Sequence, residues 1–312
     1  MKPLSSFLKK SLQAAALCGV LAATSASAAD WSDTYLGWRY GTKFREPFTN
    51  TGPTNNDPND ITKNIVNLNH ASGYKYGMNL FNVDFLLSQR NEAANCQNFQ
   101  CQGDATDAYL FYRHILDIGK VLDKDLRVGP IQGWGVAAGF DLQSKTDAGY
   151  NSKKRMAVLG PTAMFAVPGY LNVSLLEVWE SNQPCTTFPP FAVGYPSNCI
   201  SRYRYDMHPM LWAAWAIPFG SSGFSFEGYL NWIAQKGKNE FGADTAAETN
   251  FDGQIMFDLG RVGFGPKGTF KVGLEYQYWK NKFGNDSTVP GPNGPGPGAF
   301  AKTPMIRAEY HF

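Results

Sequence analysis

A histidine and a serine lie two positions apart in residues 67–74, NLNHASGY. Side chains two apart on a strand share a face, so His70 could take the proton of Ser72 as the base does in serine hydrolases. Such an enzyme also needs a third group that orients the histidine, and none is evident. Ser-Gly is ordinary turn chemistry. We therefore predict a turn and no enzymatic activity, and we keep a lipid hydrolase that uses His70 and Ser72 as an alternative.

Residues 1–28 have the features of a cleaved secretory signal peptide. Three lysines precede an apolar run over residues 12–23, and an A-x-A cleavage site follows at 26–28. The apolar run is too short for a membrane-spanning helix, which needs about 20 residues. A lipoprotein that is processed at Cys18 is the alternative. We predict export, followed by a single mature domain of residues 29–312.

Four cysteines lie beyond the predicted signal peptide. An even number in an exported protein favours disulfides. The spacing suggests two local pairs, Cys96 with Cys101 and Cys185 with Cys199, and leaves other pairings open. A zinc site is the competing interpretation, but the ligand spacing fits it poorly and no histidine flanks the cysteines. We predict disulfides, no bound metal and no cofactor.

The charge of the mature chain bears on its partners. The whole chain has 28 Lys and Arg against 26 Asp and Glu, a net charge of +2. Without the signal peptide, which carries three lysines and no acid, the net charge becomes −1. Nucleic-acid binding proteins show a basic footprint that is missing here. We therefore predict no nucleic-acid partner.

Apolar and polar residues alternate along most of the mature chain. The segments 80–88, LFNVDFLLS, and 270–278, FKVGLEYQY, show the pattern clearly. Alternation of this kind is typical of strands that have one apolar and one polar face. About twelve such segments can be counted. They lie near residues 34–44, 61–71, 75–89, 105–119, 131–144, 155–167, 170–182, 203–217, 223–236, 248–259, 269–283 and 302–312.

The connections between these segments alternate in length. Those after odd segments are mostly long and rich in Pro, Gly and Asn, as in 184–202 and 284–301, whereas those after even segments are mostly short, as in 168–169. Outer-membrane barrels have short periplasmic turns and long extracellular loops. A soluble β-sandwich also alternates, but the aromatic residues interleaved with charges here suit interfacial girdles. We predict an all-β fold, a transmembrane antiparallel β-barrel of about twelve strands in the bacterial outer membrane, in contact with its lipid.

Two stretches resemble the nucleoside-specific outer-membrane channel family (Tsx-like). They are WSDTYLGWRYGTKFREP at 31–47 and YLFYRHILDIGKVLDKDLRVGPIQGW at 109–134, with Gly119 to Pro130 the most specific part. The resemblance implies a monomeric twelve-stranded barrel with a narrow lumen that passes nucleosides. The terminal AEYHF resembles the aromatic-ended last strand that barrel-assembly machinery recognises. Tyr310 and Phe312 are accordingly predicted to form the assembly signal.

The predicted lumen combines aromatic and hydrogen-bonding side chains. Aromatic faces could stack on a base, and the polar groups could bind ribose hydroxyls. Nucleosides or related small polar ring-containing solutes are therefore the expected partners. A structural or adhesive barrel, with phage or other surface ligands as partners, is a further alternative. The proposed inward, substrate-binding residues are Tyr35, Arg39, Asp84, Phe111, Arg113, Glu177, Trp179, Arg204, Asp206, Glu227, Tyr229, Asp252, Glu275, Arg307 and Glu309.

Overall fold

The computed structural model describes most of the predicted mature domain. The described residues are 29–48, 60–89, 92, 94–97, 100–102, 104–147, 151–185, 200–290 and 296–312. The predicted signal peptide lies outside them and stays a prediction. None of the helices within these ranges is long and apolar enough to span a membrane.

Fifteen strands and one short α-helix, α1 (Ile118–Leu122), occur in the described residues. The strands are β1 (Ala29–Phe44), β2 (Ile61–Tyr74), β3 (Gly77–Ser88), β4 (Ala94–Gln97), β5 (Gln100–Gln102), β6 (Thr106–Asp117), β7 (Ile131–Lys145), β8 (Arg155–Phe165), β9 (Tyr170–Asn182), β10 (Tyr203–Arg204), β11 (His208–Pro218), β12 (Phe224–Ile233), β13 (Glu248–Asp258), β14 (Phe270–Lys280) and β15 (Phe300–His311).

Twelve of these strands form one closed antiparallel barrel. Each pairs with the next long strand along the chain, and β15 pairs with β1 to complete the ring. The two-residue strand β10 adds to β9 at one rim, while β4 and β5 form a separate hairpin in a loop. The sequence prediction of a twelve-stranded antiparallel barrel is confirmed.

The alternation in the sequence becomes the two faces of the barrel wall. On β15, Met305, Arg307 and Glu309 are buried inside, whereas Ile306 and Tyr310 are 48% and 44% exposed on the outside. A strand places successive side chains on opposite faces. Because the barrel has no free edge, every backbone group of the wall can be paired within the sheet.

The short and long connections lie at opposite ends of the barrel, as predicted. One rim carries the tight turn between β2 and β3 and the turns after β8 and β11. The connection from β6 to β7 is longer and begins with α1, whose first turn is capped by the Asp117 carboxylate accepting a hydrogen bond from the Lys120 amide. This longer connection at the short-turn rim therefore starts with a single helical turn.

Trp215 covers a gap on the outer face of the barrel. It lies opposite Gly228 on β12, which in turn pairs with Gly253 on β13. Its ring packs against Phe226 and Phe251, with centroids 5.3 and 5.8 Å away. A Cβ at Gly228 would lie 2.9 Å from the Trp215 ring and 2.2 Å from the Asp252 carbonyl oxygen. The two glycines therefore let a large ring lie flat on the sheet.

The predicted disulfides fall in the loops at the long-loop end. Cys96 and Cys101 occupy directly opposed positions in the β4–β5 hairpin, which suits a local pair. Cys185 forms a backbone bridge with Asn151, and Cys199 lies outside the described residues. Both disulfides remain predictions.

Candidate functional site

The interior of the barrel contains a chain of charges that runs between strands. Arg39 on β1 contacts Asp84 on β3 at 2.5 Å and Glu275 on β14 at 3.1 Å. The second carboxylate oxygen of Glu275 accepts a hydrogen bond from Arg307 on β15 at 2.7 Å. All four side chains point inward, and the Glu275 carboxylate is fully shielded from solvent. Acidic and basic side chains alternate along this series of contacts, so each buried charge lies next to a charge of opposite sign.

The charge chain continues toward the short-turn rim. Arg307 also donates to Glu309 at 2.6 Å and to the Tyr35 hydroxyl at 2.7 Å. Glu309 in turn lies 3.1 Å from His311, which lies 2.7 Å from Asp33. These contacts join β14, β15 and β1 across the closure of the barrel. They form one polar wall from the middle of the interior to its periplasmic end.

A second charged group lies on the other side of the interior. Arg113 on β6 pairs with Asp141 on β7, and the Tyr109 hydroxyl donates to the same carboxylate. The Arg113 guanidinium lies 5.7 Å from the Phe111 ring and 5.8 Å from the Trp212 ring. Because Trp212 is on β11, this cation–π contact reaches across the lumen.

Another part of the interior is apolar, which the sequence interpretation did not anticipate. Met78 on β3 and Asn172 on β9 meet across the lumen, with 3.1 Å between the sulfur and the amide nitrogen. The surrounding side chains form one packed cluster. Its members are Ala71, Met78, Leu80, Ile115, Ala137, Met156, Val158, Met164, Leu176, Val178, Met210, Trp212, Ala214 and Ile233. The lumen therefore has one charged wall and one apolar wall that is rich in methionine.

A lysine–carboxylate cluster, which we call the outer cluster, closes the long-loop end. Lys63, Lys145 and Lys282 all contact Glu46, at 2.7, 3.0 and 3.0 Å. Lys63 and Lys145 also contact Glu92, each at 2.7 Å. Glu46 and Glu92 belong to loops, so the cluster holds two loops against the wall.

The lysines set the charge state of these two loop carboxylates. Burial alone raises the pKa of Glu46, but Lys145, Lys282 and Lys63 outweigh it and hold that pKa well below its usual value. Burial acts on Glu92 in the same direction, and Lys145 and Lys63 outweigh it, lowering its pKa to about 2. Both loop carboxylates are therefore ionised at neutral pH.

The structure places most of the predicted lumenal residues inside the barrel. Most of the charged ones meet in the contacts above, and Asp252 lies beside Glu275. Glu227 and Tyr229 on β12 are half-buried. The residues found on the inward face are Tyr35, Arg39, Asp84, Phe111, Arg113, Glu227, Tyr229, Asp252, Glu275, Arg307 and Glu309.

The prediction for Glu177 and Trp179 was wrong. Both lie on the outward face of β9, where Trp179 is 43% exposed, while Val178 and Glu180 point inward. The inward face of β9 contributes Leu176 and Val178 to the apolar wall of the lumen, so hydrophobicity does not distinguish the two faces of this strand. A shift of one residue in the assumed register exchanges them.

Arg204 and Asp206 also do not line the lumen. Arg204 lies opposite Ser181, and His208 lies opposite Val178. The chain therefore advances four residues from Arg204 to His208 while β9 advances only three. The extra residue is a bulge, which reverses the faces on its two sides. Arg204 consequently points outward, and Asp206 is exposed at the rim.

The structure gives His70 a partner on another strand. Its Nδ1 lies 2.8 Å from the Thr34 hydroxyl on β1. His70 and Ser72 share the outward face near the short-turn rim, and Ser72 is buried between Ser32 and Asn79. No observation here favours the hydrolase alternative.

Sequence reasoning missed several residues of the interior. Asp141 and Lys145 belong to the inward face of β7, whose alternation could have identified them. Glu46 and Glu92 lie in loops, where alternation gives no signal. Their inward placement follows only from the buried lysines that they contact.

The outer face of the barrel carries the apolar surface that a membrane requires. Leu175 and Leu274 are 57% and 69% exposed there, and every other long strand except β6 also carries an exposed large apolar side chain. A closed barrel with such a surface can span a bilayer because its backbone groups are paired and its side chains suit lipid. The protein is a bacterial outer-membrane β-barrel. Tyr310 and Phe312 are exposed on its outer face, and their role in assembly stays a prediction.

Comparisons with known proteins find outer-membrane barrels among the solved structures. An outer-membrane channel from Pseudomonas putida F1 is 13% identical, with a TM-score of 0.45, and the alignment covers 91% of this chain and 96% of that one. The translocator domain of the autotransporter NalP from Neisseria meningitidis is 10% identical, with a TM-score of 0.44 and coverage of 97% and 96%. The KdgM porin is 8% identical, with a TM-score of 0.38 and coverage of 89% and 99%.

These similarities describe a general barrel likeness and carry no information on a solute. No protein-family model matches the sequence. No curated protein matches it either.

Proposed function

We propose that the barrel is a passive outer-membrane channel for small polar solutes that contain a ring, with nucleosides as the first candidates. The observation that carries this proposal is the division of the lumen into a charged wall and an apolar wall. A nucleoside has an aromatic base and a hydroxyl-bearing sugar. It could place the base against apolar and aromatic side chains and its hydroxyls against the charges of the opposite wall.

The aromatic residues of the lumen support this proposal. Tyr35 is held by Arg307, and Phe111 lies beside Arg113. Tyr229 accepts a hydrogen bond from Asn250 at 3.3 Å. A channel needs such contacts to be favourable enough to admit a solute and weak enough to release it. Passage also requires the packed side chains to move, which flexible methionines permit.

The test is single-channel conductance in a planar bilayer with adenosine, thymidine and maltose as additives. We expect adenosine and thymidine to block the current in a concentration-dependent manner and maltose to have no effect. Stacking on one ring contributes about 1–3 kcal/mol per base, so Tyr229→Ala should weaken the block about tenfold. Trp179→Ala, which alters an outward tryptophan, is the matched control and should leave the block unchanged.

A structural or adhesive barrel is a second candidate, and one observation favours it. Side chains of the apolar cluster meet across the interior, as the contact between Met78 and Asn172 shows. Complete absence of conductance in a correctly folded barrel would favour this candidate over a channel.

A further inference from the structure

The inward face of β13 carries two buried carboxylates with no cationic partner. Glu248 and Asp252 are each 2% exposed. Among the described residues, no lysine, arginine or histidine nitrogen lies within 4.0 Å of either carboxylate. An isolated buried charge is costly, so buried carboxylates normally have a cation beside them. Within the described part of the chain, Glu248 therefore has no compensating charge in contact, and Asp252 faces a second carboxyl, that of Glu275.

Each of these carboxylates accepts a hydrogen bond from a neighbouring side chain through one oxygen, and its other oxygen receives no N–H donor from the described residues. Trp279 donates to one oxygen of Glu248 at 2.6 Å, and Gln277 donates to one oxygen of Asp252 at 3.1 Å. Among the described residues, no N–H group donates to the remaining Glu248 Oε2 or Asp252 Oδ1. The Asp252 carboxyl lies within hydrogen-bonding distance of the Glu275 carboxyl, a contact that requires a shared proton. The donors fix the orientation of both carboxylates. Within the described residues, Glu248 keeps one free acceptor, and a cation at Asp252 would take the place of the proton that Asp252 shares with Glu275.

The residues between the two acids continue the same pattern. Asn250, which is 7% exposed, gives its amide hydrogen to Tyr229 and leaves its Oδ1 without a partner. Asn231, directly opposite on β12, also has an unpartnered Oδ1. Four acceptor oxygens thus line one stretch of wall, which we call the acceptor row. Positions 248, 250 and 252 are two apart, so the row extends about 13 Å along the strand.

The two cations whose charges reach this row are engaged elsewhere. Lys154 acts on Glu248 electrostatically but lies nearest Glu180, at 4.0 Å. Arg39 acts on Asp252 in the same way but contacts Asp84 and Glu275. Neither provides the hydrogen-bond donors that the row lacks.

We propose that the acceptor row binds an organic cation with amine groups, such as an aliphatic diamine. Its ammonium groups would donate to Glu248 and Asp252, and the two asparagine oxygens would accept further N–H bonds. An ammonium carries three donors and no acceptor, which complements a row made only of acceptors. The proposal rests on the proposed function in one respect, since a solute must be able to reach the lumen.

The test is the binding of diaminooctane to the full-length refolded barrel in detergent, measured by calorimetry. Octanediol, which has the same chain without charges, is the matched ligand. We expect the diamine to bind and the diol not to bind. Glu248→Gln and Asp252→Asn should each weaken diamine binding about tenfold, because each removes one charge-assisted hydrogen bond. Glu177→Gln removes an outward acid from β9 and should change nothing.

Three outcomes separate this proposal from the proposed function. Equal binding of diamine and diol, or full binding by both lumenal variants, would overturn the acceptor row as a cation site. Nucleoside-blocked conductance without any diamine binding would keep the channel and remove the cation site. Diamine binding that depends on Glu248 and Asp252, in a barrel that does not conduct, would support the site and remove the channel. Heat-modifiable migration confirms that each variant has folded.

Discussion

At the scale of single residues, the interior is held by charges that depend on one another. Arg39 contacts two carboxylates, Asp84 and Glu275, and is 6% exposed. If Arg39 is replaced by an uncharged side chain of similar length, both carboxylates lose a positive charge that compensates their own. Removing one partner of a buried ion pair is strongly destabilising because it leaves an uncompensated buried charge.

We therefore predict that Arg39→Met lowers the free energy of unfolding by about 3–5 kcal/mol. Urea titration of the refolded barrel, followed by tryptophan fluorescence, measures the change. Arg127→Met is the control, since Arg127 forms an ion pair with Asp125 in which both side chains are largely exposed. Exposed pairs contribute little, so no measurable change is expected. Equal effects of the two substitutions would contradict the structural role of the charge chain.

The lumenal residues could be predicted from sequence where a strand has one clearly polar face. On β15, Arg307 and Glu309 alternate with Ile306 and Tyr310, and the predicted faces are correct. On β9, Leu176 and Val178 point inward while Glu177 points outward, so polarity gives the opposite answer. Sequence alone did not reveal that part of the lumen is apolar, because that property depends on strands that meet across the barrel.

At the scale of elements, the loops at the outer end depend on the charge of Glu46 and Glu92. Their pKa values are lower in the folded protein than in the unfolded chain. The stabilisation they provide is therefore complete above the ordinary value of 4.5 and is lost as the pH falls from there toward about 2. Among the described residues, protonation of both would leave Lys63 and Lys282 buried without an acidic partner in contact, and Lys145 with Asp147 alone.

Gln89 and Glu92 lie in the loop segment that the outer cluster holds, and their amides donate to the Thr62 and Gln89 carbonyls at 3.0 and 3.1 Å. We predict that these amides become unprotected between pH 4.5 and about 2, reversibly and before the barrel unfolds. Hydrogen exchange of this segment, measured relative to the exposed turn 219–223 at each pH, corrects for the intrinsic dependence of exchange on pH. A Glu46→Gln and Glu92→Gln double variant should be unprotected already at neutral pH. Unchanged protection of the wild-type segment at pH 2 would show that other contacts hold the loop.

Element boundaries also show where sequence reasoning reached its limit. The segment 203–217 reads as one alternating strand, but the structure divides it into β10 and β11 with a bulge between them. Alternation continues across a bulge in the sequence while the faces reverse in space. Arg204 and Asp206 were assigned to the wrong face for this reason, whereas Met210 and Trp212, beyond the bulge, point inward.

At the scale of the whole molecule, the number of strands and the placement of loops follow from the sequence. Each long strand pairs with its neighbours in chain order, so local alternation and connection length are enough to predict the architecture. The disulfides, the signal peptide and the solute are not determined by these patterns, and they remain predictions.

We predict that deletion of Phe312 impairs assembly in cells more than it destabilises the assembled barrel. Its side chain is 69% exposed, and its amide donates one hydrogen bond to the Thr34 carbonyl at 2.9 Å. Loss of that bond costs about 1 kcal/mol, whereas loss of an assembly signal should greatly lower the yield of heat-modifiable barrel in outer membranes. Phe219→Ala, at another exposed aromatic residue of the same rim, is the control. A normal yield after deletion would contradict the proposed signal.

The pairing of β1 with β15 also has a kinetic consequence. Tyr35 and Arg307, which form a hydrogen bond within this pairing, lie 272 positions apart along the chain. Contacts between such distant segments form slowly, because the entropy of loop closure is lost before the contact is gained. Until the two strands meet, each presents an unpaired edge that can recruit another chain. The strand pair that leaves the finished barrel without an edge therefore makes its closure a slow, aggregation-exposed step.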